Sequence, residues 1–334
     1  MSKIFLARFQ NIAVIVVLLS TVPVFLKSSY WIHILILTGL NILLAVSLRF
    51  ILLTGHMSLG TAGFMLIGGY SSALLAKYFG LSFWAVLPSG GLVAGLIAFA
   101  IGYPFFRLKG MYFAILTMLM SEVVRMISYF WTRVTGGSAS LFEIPEPNPI
   151  TIPGIITITF DSKFNYYYLM LSILLVSLLI LFRLERSRLG SAIKAIKEND
   201  VLAQSIGINI TLNKVIAFAV SSFFVGIAGG LFGFYQLSLS SDAQSKFGID
   251  TSVNILIYTI VGGQTKFIGP IIGAFMLTVI PEFARDLKEY SPILIGVVFI
   301  IVVLFLPKGI VGGFGDLLRW SRKIPAKLKA RTFQ

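Results

Sequence analysis

The 334-residue chain has no cysteine and only two histidines, His33 and His56, far apart in sequence. Disulfides and thiolate metal sites are thereby excluded, and two histidines at that separation offer no metal-ligand spacing, so no metal site is expected. Charge is scarce as well: 12% of residues are Asp, Glu, Lys or Arg, against about 25% in soluble domains. There is no glycine-rich phosphate loop ending in lysine, no HExxH and no GxSxG. No recognisable ATP site or catalytic constellation is present, so neither an enzyme nor a cofactor-bearing chain is expected. If the protein drives active transport, its energy comes from another chain or from an ion gradient.

What is present is hydrocarbon-soluble. With 57% hydrophobic residues and a mean hydropathy of +0.93, the chain reads as an all-α integral membrane protein. A hydrocarbon core about 30 Å thick asks for about 20 apolar residues per helix. Ten spans follow: 12–26, 32–53, 61–76, 85–106, 111–130, 166–182, 215–236, 252–263, 269–284 and 292–306, the eighth and ninth short. Lys3 and Arg8 before the first span resemble a signal peptide, but TVPVFLKSSY lacks a small-x-small cleavage pattern, so the run is kept as a span. No separate soluble domain fits, and 1–334 reads as a single transmembrane domain.

Ten spans put both termini on one side. That side collects 19 basic and 4 acidic residues, and the other 6 basic and 7 acidic. By the positive-inside rule the basic side is cytoplasmic. The net charge of +14 therefore reports orientation and contact with anionic membrane lipid, and no nucleic-acid partner is expected. The segment 183–214 and the basic tail 308–334 face the cytoplasm in this scheme, and the loop 131–165 lies outside. Pro145, Pro147, Pro149 and Pro153 make that outer loop extended and stiff, either a cap on an external mouth or a plain surface loop.

The segment 183–214 is the one long polar stretch. Leu189, Ala192, Ile193 and Ile196 fall at helical spacing. Asn199 or Asp200 can cap a second short helix, 201–206, which Gly207 would stop in a left-handed conformation. Such a helix-break-helix is either a docking surface for a soluble partner or a basic loop resting on lipid headgroups.

Inside the spans, Glu122 and Arg125 are three apart and share one helical face, where they can pair. Each would cost about 2.5–3.5 kcal/mol if left alone at a helix centre, so they must face protein or water, as a polar path lining or a helix–helix staple. A second pair, Glu282 and Arg285, ends the ninth span and reads as an interface feature. The glycine-bearing breaks at 55–64 and 262–270 are either broken or re-entrant helices buried in protein, or tight turns between spans. Gly226, Gly229 and Gly230, with Gly91 and Gly95, mark close helix packing.

These residues also resemble a known family. GHMSLGTAGFMLIGGY at 55–70, RLKGMYFAILTMLMSEVVR at 107–125, the TGG at 135–137, SRLGSAIKAIKENDVLAQSIGIN at 187–209, VGGQTKFIGPIIGA at 261–274, the Pro281-Glu282 pair and PKGIVG at 307–312 are similar, in order, to the permease subunits of branched-chain amino acid ABC importers of the LivM type. The sequence departs from that pattern at His56, where the family has glutamine, at Thr61, where it has histidine, and at Ser138-Ala-Ser-Leu after the TGG.

The resemblance implies a multi-pass protein of the bacterial or archaeal cytoplasmic membrane that carries a solute through an importer of several parts. Those are a homologous second permease, two cytoplasmic ATPase subunits that hold ATP and magnesium, and an extracytoplasmic solute-binding protein. It further implies that 183–214 contains the ATPase-coupling loop, formed by Ala192, Ile196, Val201, Leu202, Ala203, Gly207, Ile208 and Asn209. Val201-Leu202-Ala203 stands where the general ABC motif has Glu-Ala-Ala. A solute path near Ser58, Thr61, Glu122, Arg125, Gly136 and Gly137 is expected, for branched-chain or other amino acids, with urea or amides as an alternative. A self-sufficient channel or gradient-driven carrier titrating Glu122 is the rival outside the family.

Overall fold

The computed structural model describes residues 28–283, apart from 109, 153–155 and 243–244, together with separate positions between 293 and 313. The expected first span 12–26, most of the tenth at 292–306, Arg285 and most of the basic tail lie outside the described residues. The elements in chain order are α1 (Ser29–Leu52), α2 (Thr61–Phe79), α3 (Phe83–Phe105), α4 (Met111–Phe130) and α5 (Thr132–Thr135). After a short 3-10 turn, Gly137–Ala139, come β1 (Ile150–Ile152), β2 (Ile156–Ile158) and α6 (Lys163–Glu185). The chain continues with α7 (Arg188–Glu198), α8 (Asp200–Ser205), α9 (Ile210–Gln236), α10 (Ile249–Gly262) and α11 (Ile268–Phe283).

Five of these, α1, α3, α4, α6 and α9, are long and apolar enough to cross a membrane. The protein is thus a multi-pass membrane protein by its helices. With 14 and 16 residues, α10 and α11 reach about 21 and 24 Å at 1.5 Å per residue, short of a full hydrocarbon core. The fold is helical, with one short hairpin added in a loop. β1 and β2 pair antiparallel in the 131–165 loop, Ile150 opposite Ile158 and Ile152 opposite Ile156. The β-branched repeats ITI and ITI on either side of a Pro-Gly pair make this hairpin, a local signal that attention to the prolines alone passes over.

At the centre are α1 and α9, mostly buried along their lengths, because both are apolar on every face. Where α9 crosses α2 and α3 the backbones themselves touch: a Cβ on Gly68 would lie 2.2 Å from Gly226 Cα, and one on Gly226 3.1 Å from Gly90 O. Only a residue without a side chain permits that approach. Polar side chains then tie the helices: Ser221 Oγ donates to Ser47 O at 2.6 Å, Thr259 Oγ1 to Ala45 O at 3.2 Å, and Asn41 Nδ2 to Thr278 Oγ1 at 3.0 Å. By contrast α4 has one open side, carrying Leu119, Val123, Met126, Ile127 and Phe130.

The bundle has two distinct ends. One gathers the last turn of α1, the 53–60 segment, the α6–α7 corner, α8 and the 263–267 turn. The other holds the hairpin and the 237–248 loop, where Leu141 and Leu239 form a β-bridge and Lys77 Nζ donates to Phe142 O at 2.7 Å. Among the described residues, the first end carries nine Lys and Arg against three acids.

Candidate coupling surface and solute path

The polar segment folds as two helices at the basic end. Ile193 and Ile196 of α7 are fully buried against the bundle and Leu189 and Ala192 are half-buried, while Lys194 reaches Glu185 at 2.8 Å and Lys197 lies beside Gly55. Of the two possible caps it is Asn199 that accepts, from Val201 N at 3.0 Å and Leu202 N at 3.1 Å, so α8 begins at Asp200. Asp200 instead pairs with the buried Lys214 at 3.2 Å, tying the first turn of α8 to α9. The helix closes in a Schellman arrangement: Gly207 has φ +85, its N–H donates to Gln204 O at 2.9 Å, and Ile208 N donates to Ala203 O at 3.1 Å. Asn209 then caps α9 by accepting from Leu212 N at 3.0 Å.

One face of α8 is anchored and the other is bare. Ala203 is buried, while Val201, Leu202 and Ile206 are 75%, 64% and 74% exposed. Between α7–α8 and the 53–60 segment lies a cleft of about 840 Å³, lined among others by His56, Phe106, Lys197, Asn199 and Lys214. His56 is buried edge-on to Phe106 and Phe113, with ring centroids at 5.1 Å in both cases. That burial first, and Lys214 second, pull the imidazole below its ordinary pKa and favour the neutral form.

The glycine-bearing break at 55–64 is no surface turn. Ser58, Gly60 and Thr61 are buried, and the N–H groups at the start of α2 are satisfied by side chains of other helices. Leu59 N donates to Thr117 Oγ1 at 3.0 Å, Ala62 N to Ser252 Oγ at 2.9 Å, and Gly63 N to Ser121 Oγ at 2.9 Å. Thr117 is six residues inside α4, so α2 starts about 9 Å along that helix. Thr117, Ser121 and Ser252 were not singled out in the sequence; a run of small hydroxyls at helical spacing on α4 was the available signal. The Ser58 hydroxyl accepts from Gly60 N at 3.2 Å, and Thr61 opens α2.

Glu122 and Arg125 do pair, on the middle of α4. Arg125 Nε lies 3.0 Å from both Glu122 oxygens, Nη2 also reaches Oε1, and Nη1 donates to Ser241 O at 3.0 Å. The arginine side chain is 8% exposed and the glutamate 30%. Two adjoining grooves run along this open face, one of about 660 Å³ with Arg125, Tyr129, Ser240 and Asp242, the other of about 580 Å³ with Leu119, Glu122, Val123 and Ile127. Gly136 (φ +79) and Gly137 (φ +58) form a tight turn beyond the Phe130 end of α4. A Cβ on Gly137 would meet Tyr129 O at 2.8 Å. The site residues named from sequence therefore fall at three levels of α4: Ser58 and Thr61 near its first third, the ion pair at its middle, and the two glycines past its end. Among the described residues, no side-chain hydrogen bond joins these named residues from one level to another.

The pattern of the family described as "Branched-chain amino acid transport system / permease component" matches residues 30–303. The chain belongs to this family. It is 33% identical over 297 residues to the high-affinity branched-chain amino acid transport system permease protein LivM of Salmonella typhimurium, covering 84% of this chain and 68% of that one. The LivM of Escherichia coli is 32% identical over 305 residues, 86% and 71% of the two chains. The family is broader than one solute: the ribose import permease protein RbsC of Escherichia coli is 24% identical over 306 residues, 83% of this permease and 85% of RbsC. No solved structure matches.

Proposed function

We propose that this permease is one translocating half of an ABC importer for branched-chain amino acids, in the cytoplasmic membrane, driven by ATP and magnesium held in partner ATPase subunits. The observation that carries the reading is α8: Val201, Leu202 and Ile206 stand exposed on a capped, anchored short helix at the basic end. Exposed apolar side chains there, flanked by the carboxylates of Glu198 and Asp200, suit a soluble partner better than water or anionic headgroups. Two ATPase subunits, a homologous second permease and an extracytoplasmic solute-binding protein complete the assembly. The excess of cations at this end agrees with a cytoplasmic orientation.

The open side of α4 is the solute-facing surface in this reading. A glutamate 30% exposed would be costly against lipid, so the groove around Glu122 and Arg125 faces water or the second permease. Movement of α7–α8 by ATPase closure would rock the helices about that groove, giving alternating access.

The test is a pulldown from native membranes followed by reconstitution. Wild-type chain should recover ATPase subunits, and Leu202→Ser should lose them by about ten-fold or more, the scale of a hot-spot residue. Recovery of the chain alone, with leucine uptake by that chain alone in liposomes, would replace the importer by a self-sufficient carrier.

A further inference from the structure

Arg49, in the last turn of α1, has a side chain 2% exposed, so a permanent cation is sealed inside the basic end. A buried guanidinium persists only with its acceptors in place. Nη1 donates to Glu185 Oε2 at 2.6 Å and Nη2 to Oε1 at 3.1 Å, a bidentate pair, while Nε donates to Gln264 O at 2.9 Å and Nη2 to Thr265 O at 3.3 Å. Glu185, the last residue of α6, also accepts Lys194 of α7 at 2.8 Å. One side chain thus joins α1, the α6–α7 corner and the turn between α10 and α11.

Two of those pieces are packed backbone against backbone. At the α6–α7 corner a Cβ on Gly190 would lie 2.0 Å from Glu185 O, and between α10 and α11 a Cβ on Gly273 would lie 2.0 Å from Tyr258 O. The hairpin of α10 and α11 is in turn bonded to the buried start of α2, through Ser252 to Ala62 N. That start is held by Thr117 and Ser121 of α4, the helix that carries Glu122 and Arg125. A continuous set of packed and hydrogen-bonded groups therefore runs from α7 to the groove.

We propose that Arg49 is a positioning residue that locks the α6–α7 corner and the α10–α11 hairpin into one moving body, so that displacement of α7–α8 by a docked ATPase is delivered to the start of α2 beside the solute groove. This rests on α8 as the docking surface. The two carbonyl bonds are essential to it, because they and not the ion pair reach the hairpin.

The chain is free of cysteine, so spin labels at Glu198→Cys on α7 and Ile268→Cys at the start of α11 report this body directly. Pulsed electron resonance on the otherwise wild-type chain in nanodiscs should give one narrow distance, the same in the assembled importer with and without ATP. Arg49→Lys keeps the charge but loses the planar fork, and Arg49→Gln loses both; each should broaden the distance. In the importer Arg49→Lys should retain copurifying ATPase subunits and ATP hydrolysis while leucine uptake falls by about ten-fold, the size of a typical coupling energy. Glu185→Gln, which leaves the carbonyl bonds, should disturb the distance less than Arg49→Gln. A narrow distance kept in Arg49→Gln, or one that shifts with ATP in the wild type, overturns the proposal. Since the nanodisc distance needs no ATPase, it decides the role of Arg49 even if Leu202→Ser shows that α8 is not the docking surface.

Discussion

At the scale of single residues, the pairing of Glu122 with Arg125 was legible because two opposite charges three apart on an apolar helix have few other solutions. The third partner was not. Ser241 O lies 116 residues away, and no local pattern points to it. Arg125→Leu removes the counter-charge of a half-buried carboxylate and the donor of a buried carbonyl together. We expect it to destabilise the protein by about 3–5 kcal/mol, read as a lowered thermal midpoint in detergent; an unchanged midpoint would mean that Glu122 is fully hydrated. His56 gives a pH signature of definite sign. Its folded pKa lies below the ordinary value of about 6.5, so as pH drops through the window just under 6.5 the unfolded chain takes up a proton that the folded one refuses. Stability should therefore fall from pH 7.5 towards 5 and level off once the folded imidazole also protonates. His56→Gln should flatten part of that slope, and melting curves across this range check it.

At the scale of elements, α7 and α8 were readable nearly to the residue because their signals are local: helical spacing of Ile193 and Ile196, an Asn cap, a glycine stop. The buried beginning of α2 was readable only as a break, since its capping hydroxyls come from α4 and α10. The same difference governs how substitutions act. Gly207 has φ +85 and nothing within 4 Å of where a Cβ would stand, so the cost of Gly207→Val is conformational only. A left-handed L-residue costs about 1–2 kcal/mol, somewhat more when β-branched, and this falls on a six-residue helix with little else holding its end. With α8 as the proposed docking surface, the span helices should melt as in the wild type while ATP-driven leucine uptake drops. Uptake at the wild-type rate would remove the Schellman turn from the coupling machinery.

At the scale of the whole molecule, composition established the helical membrane class, and the family pattern over 30–303 agrees with it. The number of crossings does not follow from apolar length alone, since α2 mixes Gly, Ser and Tyr into its span and α10 and α11 are too short to cross singly. What sets the arrangement is where the backbones can meet. Gly68, Gly90 and Gly226 bring α2, α3 and α9 together at one crossing, and a Cβ on Gly68 would stand 2.2 Å from the Gly226 Cα and 2.3 Å from its carbonyl oxygen. Backbone cannot move aside by changing rotamer, so Gly68→Val must separate two helices along their length. Overpacking a tight core costs about 1–3 kcal/mol, and this crossing belongs at or above the upper end. Leu96→Ala on the exposed face of α3 changes a similar volume at a side chain 66% exposed, and should shift the midpoint far less. A Gly68→Val protein as stable as Leu96→Ala would show that α2 and α9 are further apart than their glycines allow, and with that the central packing of the bundle would have to be redrawn.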